Sequence, residues 1–222
     1  MKKIQKALFW CGIISSLLYI FTDILAVMHW KGYSYTSQTF SELIASGAPT
    51  RPLVVPLSMI YGLLILSFGI GVWRSAGQKR VLRVAAALIV AKEIIGVLVT
   101  LFAPIHMRGV AGNLSDTMHA VFTAVGVLLC MFPAMGFAAA AFGKRFRVYS
   151  SVTMAVFLVC GVLAGMNGPK IAANLPTPGT GVLERINIYG YMLWIVVFAI
   201  ILLQKENAVN NGTVPREMKS CR

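Results

Sequence analysis

Pro52–Trp73 reads PLVVPLSMIYGLLILSFGIGVW, Arg74–Leu82 reads RSAGQKRVL, and Arg83–Ala103 reads RVAAALIVAKEIIGVLVTLFA. Two apolar runs of membrane-spanning length flank a short basic gap. A bilayer hydrocarbon core about 30 Å thick takes roughly 20 helical residues. Neither run leaves a polar face wide enough for water. The same unit recurs along the chain and predicts spans near Ala7–His29, Pro52–Trp73, Arg83–Ala103, Asp116–Ala141, Val148–Gly168 and Arg185–Leu203. The expected fold is all-α, a polytopic membrane bundle of six transmembrane helices. Residues 1–203 form the membrane domain, and 204–222 form a flexible polar tail.

Composition agrees. Of 222 residues, 58% are hydrophobic, and the mean hydropathy is +0.77. A soluble domain of this size would need more polar surface. The formal charge of +13 would suggest nucleic acid in a soluble protein, but its distribution excludes that partner. Lys2, Lys3 and Lys6 precede the first span. Arg74, Lys79, Arg80 and Arg83 fill the second gap, Lys144, Arg145 and Arg147 the fourth, and Lys205, Arg216, Lys219 and Arg222 the end. The alternate gaps hold only Lys31, Arg51, Arg108, Lys170 and Arg185. By the positive-inside rule, both termini are expected in the cytoplasm and the longer loops outside. Membrane lipids are the expected partners. Three lysines before an apolar run resemble a signal peptide. The run is too long for one and lacks a cleavage site, so a retained helix is expected. Cys11, Cys130 and Cys160 lie within spans and Cys221 in the tail, which leaves no outer thiol for a disulfide framework.

The longest outer gap contains Thr39-Phe40-Ser41-Glu42, the spacing of a capping box, with Gly47 and Pro49 beyond it. A short interfacial helix is expected at Phe40–Ser46. Polar residues inside spans are costly and face the bundle interior or a wet cavity. The first span carries Gly12, Ser16, Tyr19 and Asp23 on one face. The fourth carries Asp116, His119, Thr123, Gly126, Cys130 and Pro133. Asp23 lies about 9 Å below the outer end of its helix and His119 about 6 Å below, so the two are expected to face one outer pocket. Asp23, Glu42, Asp116, His119, Glu184 and Arg185 are the candidate ligand-binding residues. The expected occupant is a lipid headgroup or a small polar ligand.

Two other chemistries are compatible with these residues. His29, His106 and His119 with nearby carboxylates offer a zinc site for a metal-dependent lipid hydrolase, although no HxxxH or HExxH spacing occurs. Without that metal, no cofactor is expected. Lys92 and Glu93 near the midplane, with Asp23, offer a proton-coupled transporter. Adjacent helical residues do not face each other, so Lys92 and Glu93 are expected to find partners on neighbouring helices.

Gly32-Tyr33-Ser34, Ser41-Glu42-Leu43, Gly47-Ala48-Pro49-Thr50-Arg51, His119 and Gly181-Val182-Leu183-Glu184-Arg185-Ile186 occur together. In these landmarks the chain resembles the prokaryotic membrane family called domain of unknown function 998, nearly to residue 203. The resemblance implies six membrane helices, placement in a prokaryotic cytoplasmic membrane, and importance for the outer motif segments. It implies no activity. A looser likeness to alkaline-ceramidase-like membrane hydrolases stops at the histidines: the last two spans have none.

Overall fold

The computed structural model describes residues 2–110 and 112–210. Its elements are α1 (Lys2–His29), α2 (Phe40–Leu43), α3 (Arg51–Ser75), α4 (Arg80–Phe102), α5 (Leu114–Ala140), α6 (Lys144–Gly165), α7 (Gly168–Ala172) and α8 (Thr180–Asn210). Six helices are long and apolar enough to cross a membrane, and the chain is an integral membrane protein. At their basic ends α1, α3, α4 and α6 run past the expected spans because lysine, arginine and glutamine continue a helix readily past the hydrocarbon, whereas α6 stops at Gly165, short of the expected Gly168. Helix α8 continues to Asn210, beyond the expected domain end at residue 203. Residues 211–222 of the expected tail, Cys221 among them, lie outside the described residues.

Leu17, Leu63, Leu98, Leu129, Val159 and Leu193 are exposed on the outside of the bundle. In water such a surface would aggregate; in a bilayer it is the solvated surface. Neighbouring helices pack in the order α3, α1, α8, α6, and α3, α4, α5.

The two ends of the bundle differ. Toward the basic gaps the core is dense and aromatic. Phe146 stacks on Trp194 at 5.8 Å, Trp194 meets Phe198 at 5.1 Å, and Phe68 sits edge-on to Phe198 at 5.7 Å. The Trp194 indole donates to Ser150 Oγ at 2.9 Å. The opposite end carries the three longer connections and nearly all the polar contacts between elements. There Phe40, Leu43 and Ile44 wedge against Ala26 and Val54, so α2 plugs the gap between α1 and α3.

The short helix is Phe40–Leu43, not Phe40–Ser46, and it is buried rather than interfacial. Its carbonyls are taken up by side chains before another turn can form. Thr50 Oγ1 donates to the Leu43 carbonyl at 2.7 Å, and the Arg51 guanidinium donates to that of Ile44. Gly47 turns the chain at φ +91°, and the Ser46 amide pairs with the Ile105 carbonyl at 2.7 Å in the neighbouring loop.

Within α5 the residues Gly126–Met131 form a π-helical turn. Pro133 lies just beyond it. Proline has no amide proton, and its ring crowds the carbonyl one turn earlier; widening the helix there relieves both. The half of α5 nearest the loops, Leu114–Val125, has α4 as its main neighbour, whereas the other half also packs on α6.

Candidate functional site

Two arrangements occupy the loop end: a network of ion pairs that ties the loops down, and a cavity beneath it. The network begins where α8 starts. A Cβ on Gly181 would lie 2.3 Å from the Gln38 carbonyl oxygen and 2.4 Å from that of Tyr35, so only glycine allows this approach. The amides of Gly181 and Val182 donate to the Thr36 carbonyl at 2.9 and 3.3 Å, which satisfies donors that a helix start leaves open.

One turn further, Arg185 forks onto Asp23. Its Nε donates to Oδ2 at 2.8 Å and its Nη2 to Oδ1 at 2.9 Å. Nη1 reaches the carbonyls of Tyr35 at 2.9 Å and Gln38 at 3.0 Å, and Nη2 also reaches the Tyr33 hydroxyl at 2.9 Å. The Tyr35 ring covers the guanidinium at 3.9 Å, and the Tyr189 hydroxyl donates to Asp23 Oδ2. Both charges are buried, and each is met by bonds on several sides.

Glu184 turns the other way. It accepts from the Phe40 amide and from Ser41 Oγ, and so caps α2 from outside. Glu42 completes the capping box by reaching back to the Thr39 amide at 2.7 Å. It also pairs with Arg108, which further binds the Ser37 carbonyl at 3.0 Å and Thr177 Oγ1 at 2.9 Å. Burial pushes the Glu42 carboxyl up, but the Arg108 and Thr39 hydrogen bonds and the Arg108 charge outweigh burial and hold it below its ordinary value. Asp116 accepts from the His106 amide at 2.7 Å, from His106 Nδ1 at 3.0 Å and from the Asn113 amide at 2.9 Å.

The cavity lies beneath α2, between α3, α4 and α5, and measures about 190 Å³. Lys92 and Glu93 line its floor, and Phe40, Ser41 and Ile44 its roof. Ser58, Tyr61, His119 and Thr123 are polar residues of its wall. His119 Nδ1 lies 2.9 Å from the Ala103 carbonyl. A carbonyl only accepts, so Nδ1 carries a proton, and Nε2 of the neutral ring is an acceptor without a protein partner among the described residues. Tyr61 Oη is buried and also without a partner among the described residues.

Lys92 and Glu93 pair with each other, contrary to the expectation of separate partners: Nζ lies 3.3 Å from Oε2. The lysine stem is long enough to fold back although the two Cα positions diverge. Its ammonium also sits 5.2 Å from the Tyr191 ring. Glu93 Oε1 packs against Gly62, where a Cβ would lie at 3.2 Å.

Of the six residues assigned to a ligand from sequence, His119 lines this cavity. Asp23, Glu42, Asp116, Glu184 and Arg185 bond to one another or to loop groups, and Glu42 with Arg108 also lines an open cleft of about 430 Å³ among the loops. Asp23 and His119 do not share a pocket. Asp23 turns to the guanidinium fork on α8, a stronger partner than an imidazole, and His119 turns to Ala103. The sequence reading gave Arg108 and Tyr189 no role at a site, and it marked Tyr33 only as part of a landmark segment. A lone arginine in a loop with few charges was the available signal for Arg108.

His29, His106 and His119 do not converge. His29 is exposed, His106 is held by Asp116, and no three His, Cys, Asp or Glu side chains among the described residues form a metal-holding group.

The landmark segments of the sequence thus meet in space: Tyr33, Glu42, Arg51, Glu184 and Arg185 all belong to the loop-end network. A family sequence model described as "Protein of unknown function (DUF998)" matches residues 13–201. The chain belongs to DUF998. No curated protein and no solved structure matches it. The DUF998 match reaches into all six spans and takes in the loop-end network and every residue that lines the cavity.

Proposed function

We propose that this DUF998 protein holds a lipid, by its headgroup region, in the cavity beneath α2. A small polar ligand is the variant of this reading in which no acyl chain is involved. The site sits in a prokaryotic cytoplasmic membrane, on the outward-facing half of the bundle, with both termini in the cytoplasm. The lysine and arginine distribution supports that orientation.

The observation that carries the reading is the pair of polar atoms left without partners on residues that line the cavity; Tyr149, Asn187 and Tyr191 leave others elsewhere in the bundle. Tyr61 Oη and His119 Nε2 are unpartnered among the described residues, and Lys92 has one protein acceptor. Hydrocarbon cannot satisfy such groups, but a ligand with oxygen atoms can. Ile95, Val97, Val99 and Phe122 give the same wall an apolar part, as suits an amphiphile.

Gly96 lines this cavity, and a Cβ placed there meets nothing within 4 Å. Gly96→Leu therefore fills the cavity without a backbone clash and favours the helix. Lipid analysis of gently purified protein is expected to find a specific co-purifying species on the wild type and to find it depleted from Gly96→Leu at equal yield of folded protein. The same lipid profile on both proteins contradicts the proposal.

A further inference from the structure

The charges and hydrogen-bonding atoms of the cavity restrict its occupant further. This step rests on the lipid-binding reading. Among the lining residues only Lys92 and Glu93 carry formal charges, and they neutralise each other at 3.3 Å. Glu184 stands behind Ser41 at the roof, and Arg185, next to it in sequence, is committed to Asp23. Arg108 is likewise committed to Glu42. Arg51, outside the lining, gives its guanidinium to the carbonyls of Ile44 and Thr100. An anionic headgroup entering here would find no unpaired cation in the lining and would lose its hydration in a medium that punishes unpaired charge.

The polar atoms that remain are of mixed sense. Tyr61 Oη and the ammonium protons of Lys92 not used by Glu93 are donors. His119 Nε2 and Glu93 Oε1 are acceptors. Ser58 and Thr123 have hydroxyls that serve either way. A ligand that offered only acceptors would leave Nε2 unmet, and one that offered only donors would leave Tyr61 unmet. A hydroxyl next to ester or amide carbonyls supplies both. At about 190 Å³ the cavity is smaller than the roughly 300–1,000 Å³ of pockets that take a whole drug-sized ligand, so the polar part is small.

The acyl chains have a way out. Phe122 and Thr123 line the cavity and are both exposed, and this half of α5 has α4 as its main neighbour. The cavity mouth is therefore on the bilayer side, at a level where hydrocarbon can enter.

We infer that the cavity takes an uncharged lipid with a small headgroup, a free hydroxyl beside acyl carbonyls, entering sideways from the bilayer. Diacylglycerol is the probe that carries this chemistry. Phosphatidic acid with the same chains differs only by a phosphate on that hydroxyl.

The test is competition against a fluorescent diacylglycerol bound to the full chain in phosphatidylcholine nanodiscs. Dioleoylglycerol is expected to displace it from the wild type, and dioleoylphosphatidic acid to be at least about tenfold weaker. Glu93→Gln releases the Lys92 charge and is expected to narrow that gap; Lys92→Met leaves Glu93 uncompensated and is expected to widen it. The two opposite shifts separate a charge effect from a folding defect, which would weaken both lipids together. Phosphatidic acid competing as well as dioleoylglycerol on the wild type overturns the neutral-lipid inference and leaves the cavity as a lipid site. Binding of neither lipid, or binding of both that Gly96→Leu does not reduce, overturns the lipid reading itself.

Discussion

Arg185 offers five N–H donors in a rigid fork, and Asp23, Tyr33 and the carbonyls of Tyr35 and Gln38 receive them all inside the protein. Such a residue holds structure together rather than waiting for a ligand. Asp23→Asn would leave the guanidinium buried without its counter-charge, a change that costs about 3–5 kcal/mol in buried pairs. Thermal unfolding in detergent should show that loss, and the double variant Asp23→Leu with Arg185→Met should recover part of it. An Asp23→Asn protein as stable as the wild type but unable to bind lipid would return Asp23 to the binding site. Glu42 makes a separate prediction. Its folded carboxyl titrates below the ordinary 4.5, so its stabilising effect is complete above that value and is lost as pH falls through the lower folded one. Protection of the amides of residues 37–43, taken relative to their intrinsic exchange rates, should therefore fall on acidification below the ordinary carboxylate range, and Glu42→Gln should abolish that loss of protection. Single residues were the least legible level of the sequence. That Asp23, Glu93 and His119 face inward follows from the cost of polar groups in hydrocarbon. Which partner each one takes depends on which helices are neighbours, and Asp23 and Arg185 are 162 positions apart.

At the scale of elements, the capping box was legible because Thr39 and Glu42 are close in sequence and their chemistry is local. The length of α2 was not, because its end is set by Thr50, Arg51 and the distant Ile105. The π turn in α5 had a local signal in Pro133. Docking of α8 onto the first loop is the most demanding element contact. Gly181→Ala would place a methyl group at 2.3 Å from a carbonyl oxygen; overpacking of this kind typically costs about 1–3 kcal/mol. The expected result is a lower unfolding temperature together with faster amide exchange in both residues 33–41 and the first turn of α8. Faster exchange in α8 alone would mean that the loop does not depend on this contact.

For the whole molecule, the six spans were legible because bilayer thickness fixes a length and apolarity fills it, whatever the tertiary contacts. Orientation is carried by a separate signal, the arginine and lysine asymmetry. In a background without the native cysteines, Lys31→Cys should react with a membrane-impermeant thiol reagent from outside intact cells, and Gln78→Cys only after the membrane is opened; both positions are exposed. Reaction of both from the same side would contradict the proposed topology. The cavity was half legible: Lys92, Glu93, His119 and Thr123 stood out as polar residues in spans, but their convergence under α2 required the fold. The central claim is that a lipid fills this space. Its most direct test is a crystal structure of the protein grown from a lipidic mesophase doped with dioleoylglycerol. The account predicts continuous non-protein density beneath α2, with a polar end within hydrogen-bonding distance of Tyr61 Oη and His119 Nε2 and a tail leaving past Phe122. A cavity that holds only water, or one closed by α5 with Tyr61 and His119 bonded to protein groups, would contradict it.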